Sequence, residues 1–426
     1  MSEPARSESA AALDAADPLA QFRARFRLPQ DARGRPATYL CGHSLGPMPA
    51  DAEREVASVL GEWARQGVLG HHAGPAPWLD YHAKFAAPLA RLVGAETSEV
   101  VAMNTLTVNL HLMLASFYRP SATRRRILLE AGAFPSDRHA LASQVAWHGH
   151  DPADSLIEVA PRAGAELLAT EDVIAAIERA GESLALVLLP GVQYRTGQVL
   201  DIAAITGAAR RAGAAVGWDL AHAIGNVPLS LHDSGADFAV WCSYKYLCGG
   251  PGAVAGAFVH ARHAREAGLP RLAGWWGHDP RTRFDMGPDF VPMPGAEGWQ
   301  LSNPPVLGLA PLAAALALFD AATPARLRAK SLALSARLRA AIEARLAGRI
   351  EVLTPRADAA HGAQLSVRLK GPAARGRAVF EALGAAGIVG DWREPDVIRL
   401  APAPLYNTFA EVDAAADVLT TAVLSS

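Results

Sequence analysis

The chain has 426 residues, 50% of them hydrophobic and 19% charged, enough for a large core and for two or three domains. A formal net charge of −2 excludes a strongly basic nucleic-acid or membrane surface. Cys41, Cys242 and Cys248 make no disulfide framework and no metal-ligand spacing, so no metal site is expected.

The N-terminus carries Glu3, Glu8, Asp14 and Asp17 and lacks an apolar core, so it does not read as a signal peptide. The first dozen residues read as disordered, and Pro18 to Arg27 as a short helix. Tyr39 to Pro47 is an apolar step into a turn bounded by Gly42 and Gly46, where backbone can approach a ligand closely. An ordinary loop has the same composition. Val56, Val59, Leu60 and Trp63 share one helical face, as do Trp78, Tyr81, Phe85, Leu89 and Leu92. Between them Gly70 to Pro75 reads as a loop, and its adjacent His71 and His72 are a poor metal pair. Thr105 or Thr107 is placed to cap the apolar helix that follows, whose N-terminus is either a phosphate site or an ordinary cap.

From Arg126 the pattern alternates. Strands are expected at Ile127–Leu129, Leu156–Val159, Leu184–Leu189, Ala214–Val216, Phe238–Trp241 and Ala253–Val259. Helices are expected at Arg138–Trp147, Thr170–Arg179 with Thr170 as cap, and Ile202–Ala212. An acidic hairpin is expected around Asp233 and Asp237. This order predicts an α/β fold with a mostly parallel sheet covered by helices. Arg271 to Asn303 has loop composition, yet its Trp275, Trp276, Phe284, Phe290 and Trp299 argue against disorder. The longest apolar run, Pro304 to Phe319, is broken by Pro305, Gly308 and Pro311 and reads as a buried helix rather than a membrane span. A long helix from Pro324 to Ala347 leads to a smaller α/β unit. Its strands are expected at Ile350–Leu353, Gln364–Leu369 and Val397–Leu400, and its helix at Arg377–Ala386.

Two strand ends carry the chemistry. One ends at Trp218-Asp219 and offers His222; the other ends in Ser243-Tyr244-Lys245, followed by Gly249-Gly250-Pro251-Gly252. In open α/β sheets ligands sit beyond the carboxyl ends of strands. An aspartate and a lysine brought together there suit pyridoxal phosphate: the lysine forms the Schiff base and the carboxylate pairs with the pyridine nitrogen. The chain has four lysines, Lys84, Lys245, Lys330 and Lys370, and only Lys245 lies among aromatic and small residues. The plainer alternative is a lysine reaching from a strand end to water; the neighbouring Asp219 weighs against it.

The stretches YLCGHSLG, LTVNLH, FPSD, YRTG, WDLAHAIGN, WCSYKYLCGGPG, GWWGH, TRF, LSNPP and DW with IRLAPAPLYN span residues 39 to 407. Together they resemble the kynureninase family, pyridoxal-phosphate hydrolases of the aspartate-aminotransferase fold type (fold type I). WDLAHAIGN with CSYKYL is the most specific of them. The resemblance implies that Lys245 carries the cofactor, Asp219 pairs with its ring nitrogen and His222 packs on it. Leu106 and Thr107 would contact the cofactor phosphate, Ser136 would be a further cofactor contact, Phe134 would stack on the ring, and Asp137 would be a second cofactor partner. Tyr244 would touch the phosphate and move protons, and Trp275 and Asn303 would reach the cofactor across a dimer interface. Arg399 would clamp the substrate α-carboxylate, with Ser44, His71, Ser302 and Asn303 around the remainder of the substrate.

The implied reaction is hydrolysis of L-kynurenine to anthranilate and L-alanine, and of 3-hydroxykynurenine to 3-hydroxyanthranilate, in tryptophan catabolism and NAD biosynthesis. The expected form is a cytoplasmic homodimer with its active site at the interface. Three units are expected: an N-terminal segment 1–50 on the small domain, a cofactor-binding domain 51–305 and a C-terminal domain 306–426. The chain departs from the family at His43, where GNSLG is common, and at Pro190, where relatives carry a hydroxyl residue. A cysteine desulfurase on the same fold is the rival enzyme, and a non-catalytic binding protein the rival of another class.

Overall fold

The computed structural model describes residues 8–264, 266 and 268–426. Its centre is a sheet of seven strands: β1 Val100–Ala102, β2 Arg126–Glu130, β3 Leu156–Val159, β4 Leu184–Pro190, β5 Ala215–Asp219, β6 Phe238–Trp241 and β7 Gly256–Val259. Their spatial order is β1-β7-β6-β5-β4-β2-β3. β7 runs antiparallel to both neighbours, and the other pairs are parallel. Leu184–Leu189 of β4 and all of β6 are buried, as the Leu/Val/Ala runs require when helices cover both faces. One core lies on each face: Val187, Trp218 and Trp241 belong to one, Leu186, Phe238 and Val240 to the other.

A second sheet contains β8 Ile350–Val352, β9 Leu365–Leu369, β10 Asp391–Arg393 and β11 Val397–Leu400 in the antiparallel order β8-β9-β11-β10. β10 was not expected from the sequence. It is a three-residue edge strand whose partly buried Asp391, Trp392 and Arg393 show no alternation. The helix Phe409–Ser425 was also not expected, although Thr408 and Glu411 form a capping box at its start.

Three expectations are corrected. Residues 1–7 of the segment read as disordered lie outside the described residues, but Ala10–Ala16 is a helix. Asp14 on it accepts from the backbone N–H of Phe409 and Ala410 at 2.7 and 3.0 Å, so it caps a helix nearly 400 residues away. The hairpin around Asp233 and Asp237 does not form: β5 and β6 are parallel, and Leu231–Ser234 is a helical turn in the crossover between them. Thr170 is the first helical residue, with Ala169 in the cap position and no side-chain cap.

Residues 38–46 tie the two sheets together. Thr38–Tyr39 pairs in parallel with Ile388–Val389, and the Leu40 carbonyl accepts from Ala401 N–H at 2.8 Å. The turn then reaches the large sheet, where Gly46 N–H donates to the Tyr244 carbonyl at 2.8 Å. A Cβ at Gly46 would stand 2.5 Å from the Lys245 carbonyl oxygen, so only glycine allows this approach.

Candidate active site

β5 ends at Asp219 and β4 ends opposite it at Pro190. Gly191 N–H donates to the Asp219 carbonyl at 2.7 Å, and the Asp219 side chain accepts from Ala221 N–H at 2.6 Å. The carboxylate is thereby fixed by its own turn. β6 delivers Tyr244 and Lys245 three and four residues past Trp241, with the Lys245 Nζ 5.7 Å from the centre of the Phe134 ring. Pro190, Asp219, Ala221, Tyr244, Lys245 and Phe134 border one cavity at the carboxyl ends of β2, β4, β5 and β6.

Three carboxyl groups line that cavity: Asp219, Asp137 and Glu130. Burial pushes Asp137 well above the carboxylate range, and the neighbouring Asp219 pushes it further. Burial likewise raises Glu130 to about 8, opposed by a hydrogen bond from Gln193 and assisted by Asp219. Asp137 Oδ1 and His222 Nδ1 are buried with no protein partner. His222 is held neutral, its pKa depressed by burial and by Lys245 and Arg399.

At the other end, helix Leu106–Phe117 begins at Thr105 with no side-chain cap. Asn104, at φ 50, turns the chain from β1 into it. The hydroxyls of Thr107 and Ser136 lie 2.8 Å apart beside this N-terminus. Phe134 is 40% exposed and meets Tyr194 edge-on at 5.4 Å, leaving a ring face free.

These features fit pyridoxal phosphate. The helix N-terminus with Thr107 and Ser136 suits a phosphate, Phe134 suits a flat ring, and Asp219 with the unpartnered Asp137 oxygen suits a protonated ring nitrogen. Burial, together with the adjacent Cys242, raises the Tyr244 phenol, which is therefore a proton donor at neutral pH.

The acidic cavity has a consequence for stability. Glu130 ordinarily titrates at 4.5 and does so at about 8 in the fold. Between those values the folded chain binds a proton that the unfolded chain has lost, so stability is complete below the lower value and declines as pH rises through the window. Glu130→Gln should flatten that decline in cofactor-free protein, read from urea midpoints at pH 5 and pH 8. Equal slopes in the two proteins would show that Glu130 carries no such load.

Arg399 lies elsewhere, on β11 and 1% exposed. Its Nε and Nη2 hold Asp391 at 3.2 and 2.7 Å, and its Nη1 donates to the Tyr194 carbonyl at 2.7 Å. The guanidinium thus links the small sheet to the loop after β4 and already has a resident carboxylate. Ser44 sits in the Cys41–Gly46 turn, its N–H on the Cys41 carbonyl. Trp275, Ser302 and Asn303 are exposed, and Trp275 donates its indole N–H to the Arg283 carbonyl at 3.0 Å. His71 packs edge-on against Trp78 at 5.3 Å. His71 and Asn303 share an apolar groove with Trp63 and Leu307, but a single chain does not bring them, Ser302 or Trp275 into the Lys245 cavity.

Sequence reasoning missed Glu130, Tyr194 and Asp391. A charged residue closing the apolar strand Ile127–Leu129 was a signal for Glu130; Tyr194 and Asp391 lie in the matching stretches YRTG and DW, but their contacts with Arg399 appear only once the sheets are assembled.

A family model described as the kynureninase C-terminal domain matches residues 327–419. The chain is 58% identical over 412 residues to the protein named kynureninase in Xanthomonas campestris pv. campestris (strain B100), covering 97% of each. It is 56% identical over 403 residues to the one in Stenotrophomonas maltophilia (strain K279a), covering 95% of each. Among solved structures it is similar to the cysteine desulfurase CsdA from Escherichia coli, with TM-score 0.75 and 19% identity over 95% of this chain and 98% of that one. It is also similar to the cystine C-S lyase C-DES, with TM-score 0.74 and 20% identity over 90% and 97%. At those identities the structural likeness speaks to the fold alone.

Proposed function

The chain belongs to the kynureninase family, and from that premise we propose that it is a pyridoxal-phosphate-dependent hydrolase that cleaves the Cβ–Cγ bond of L-kynurenine to give anthranilate and L-alanine. The observation that carries this reading is the meeting of Lys245 and Asp219 in one cavity beside an uncapped helix N-terminus, in a chain 58% identical to a kynureninase over 97% of its length. The cofactor, when bound, supplies an electron sink for charge developing on the substrate.

The chain's own groups divide the remaining work. Thr107, Ser136 and the N–H groups of Leu106 and its neighbours hold the phosphate. Phe134, His222, Asp137 and Asp219 fix the ring. Lys245 Nζ would hold the cofactor and move the substrate α-proton, Arg399 would orient the α-carboxylate, and, as water supplies oxygen to Cγ and the Cβ–Cγ bond breaks, the protonated Tyr244 phenol would give its proton to Cβ. Ser44, Ser302, Asn303 and His71 surround the aryl end, and their hydroxyl, amide and imidazole groups suit 3-hydroxykynurenine as a second substrate.

We further read the molecule as a cytoplasmic homodimer of units 1–50, 51–305 and 306–426, acting in tryptophan catabolism and NAD biosynthesis. Support for a dimer is the exposed apolar surface at Leu60, Trp63, Val68, Leu69 and Leu307 around the His71–Asn303 groove. In a dimer, this groove and Trp275 would face the partner's cavity. No single helix among the described residues is long and apolar enough to cross a membrane. Light scattering should give twice the 44.7 kDa chain mass, and Trp63→Glu should lower both that mass and activity; a fully active monomer would remove the shared-site reading.

The desulfurase alternative needs a reactive thiol. Burial pushes the thiols of Cys41, Cys242 and Cys248 up, Cys41 to about 12, so none is activated. The direct test of the hydrolase reading is anthranilate fluorescence on addition of L-kynurenine to the pyridoxal-phosphate-loaded protein. Alanine with sulfane sulfur from cysteine, and no anthranilate, would favour the alternative.

A further inference from the structure

The Cys41–Gly46 turn buries an imidazole with nothing to bond. His43 is fully buried, and neither Nδ1 nor Nε2 has a protein partner. Buried polar groups are rarely left so, and each needs an explanation. One of its ring nitrogens lies within 4.8 Å of both an Asp391 carboxylate oxygen and the Cys41 sulfur. Asp391 is the carboxylate gripped by Arg399 at 2.7 Å, so His43 stands beside that guanidinium. The His222 ring, which lines the Lys245 cavity, is centred 6.3 Å away. The His43 ring is thus near both the Asp391–Arg399 pair and a residue of the Lys245 cavity.

The charge around it points the same way. Arg399 and Arg393 come from the small sheet, with Asp391 as the carboxylate between them, and Lys245 comes from the large one, where Asp219 and Asp137 line its cavity. His222 and Tyr246 complete the surroundings, the histidine neutral and the phenol protonated. Burial and the three cations keep His43 itself neutral, so it offers one N–H donor and one acceptor nitrogen. Two guanidinium groups against one carboxylate, beside an unpartnered N–H, are complementary to an anion. The phosphate site at Thr107 and Ser136 belongs to a different wall of the cavity, on helix Leu106–Phe117 and the start of the helix Pro135–Trp147.

We propose that His43 is a substrate-binding residue: its ring N–H donates to the α-carboxylate of the amino-acid substrate and completes, with Arg399, a two-sided carboxylate site. This rests on the reading that the chain acts on an amino acid. It also gives the departure at position 43 a role, since an imidazole N–H can take the place of an amide N–H.

The test uses the cofactor-loaded protein and two amines that differ only in the carboxylate, L-alanine and ethylamine, with cofactor absorbance reporting binding. His43→Ala should weaken L-alanine by at least about tenfold, the scale of one hydrogen bond to a charged group, while changing ethylamine less than about twofold. His43→Asn, which restores a donor, should recover most of the L-alanine affinity. Equal weakening of both amines would assign His43 to cofactor or fold, and no change in either would leave it without a ligand; both results overturn the proposal. Turnover of L-kynurenine by the wild type is measured alongside. If turnover is present and the selectivity of His43→Ala is unchanged, the inference fails alone. If turnover is absent, the functional reading fails with it.

Discussion

Lys245→Ala should reduce L-kynurenine turnover by at least about 10³-fold, within the range seen when a positioned acid–base group is removed, and should leave the fold intact. Both halves of the expectation come from the site. Lys245 is the cavity's one lysine, partly exposed at the end of β6, and its amine has no hydrogen bond or ion pair among the described residues. Nothing in the native packing is left unsatisfied when the side chain is shortened. Loss of the amine removes the covalent tether and the base for the α-proton together. The thermal midpoint should stay within a few degrees of wild type. Borohydride, which fixes the cofactor irreversibly to the wild-type protein, should fix none to the variant. Turnover within about tenfold of wild type would place the tether on another residue.

Arg399→Leu should act on both recognition and stability. Removing one partner of a buried, hydrogen-bonded charge pair costs on the order of 2–5 kcal/mol, which corresponds to a fall in kcat/KM of about 30-fold to several thousand-fold. That fall should appear mainly in KM, with pyridoxal phosphate loading close to wild type, because Arg399 is outside the cofactor cavity. The structure adds a cost that the sequence did not suggest. Asp391 loses its principal partner and keeps only Arg393 at 3.2 Å, so the folded state should also lose stability, by up to about 3–5 kcal/mol for a buried pair broken on one side. Arg399→Lys separates the two effects. It retains a charge for Asp391 but not the planar fork, so stability should largely return while KM stays high. An unchanged KM in Arg399→Leu would move the carboxylate clamp elsewhere.

What could be read from the chain depended on how local each signal was. The runs Leu184–Leu189 and Phe238–Trp241 are buried along their whole length, and their composition alone located the sheet and the strand ends bearing Asp219 and Lys245. The supposed hairpin near Asp233 failed because acidic turn residues also suit a short crossover helix, and the choice is made by the parallel pairing of β5 with β6. The N-terminal helix was missed because the chain it packs against, the helix Phe409–Ser425 capped by Asp14, is far away in sequence. Asp391 and His43 have the same history: one is a residue of a short edge strand and the other of a glycine turn, and only the docking of the 38–46 segment between the two sheets places them side by side. For Trp275, Ser302, Asn303 and His71 the resemblance supplied a role that one copy of the chain does not bring to the cavity.

The central claim is hydrolysis of a carbon–carbon bond in the Lys245 cavity, and product analysis in H₂¹⁸O tests it most directly. With L-kynurenine and the pyridoxal-phosphate-loaded protein, anthranilate and L-alanine should form in equal amounts, with ¹⁸O in the anthranilate carboxylate and none in alanine, and Lys245→Ala should form neither. Consumption of kynurenine without anthranilate, or anthranilate free of ¹⁸O, would contradict the account.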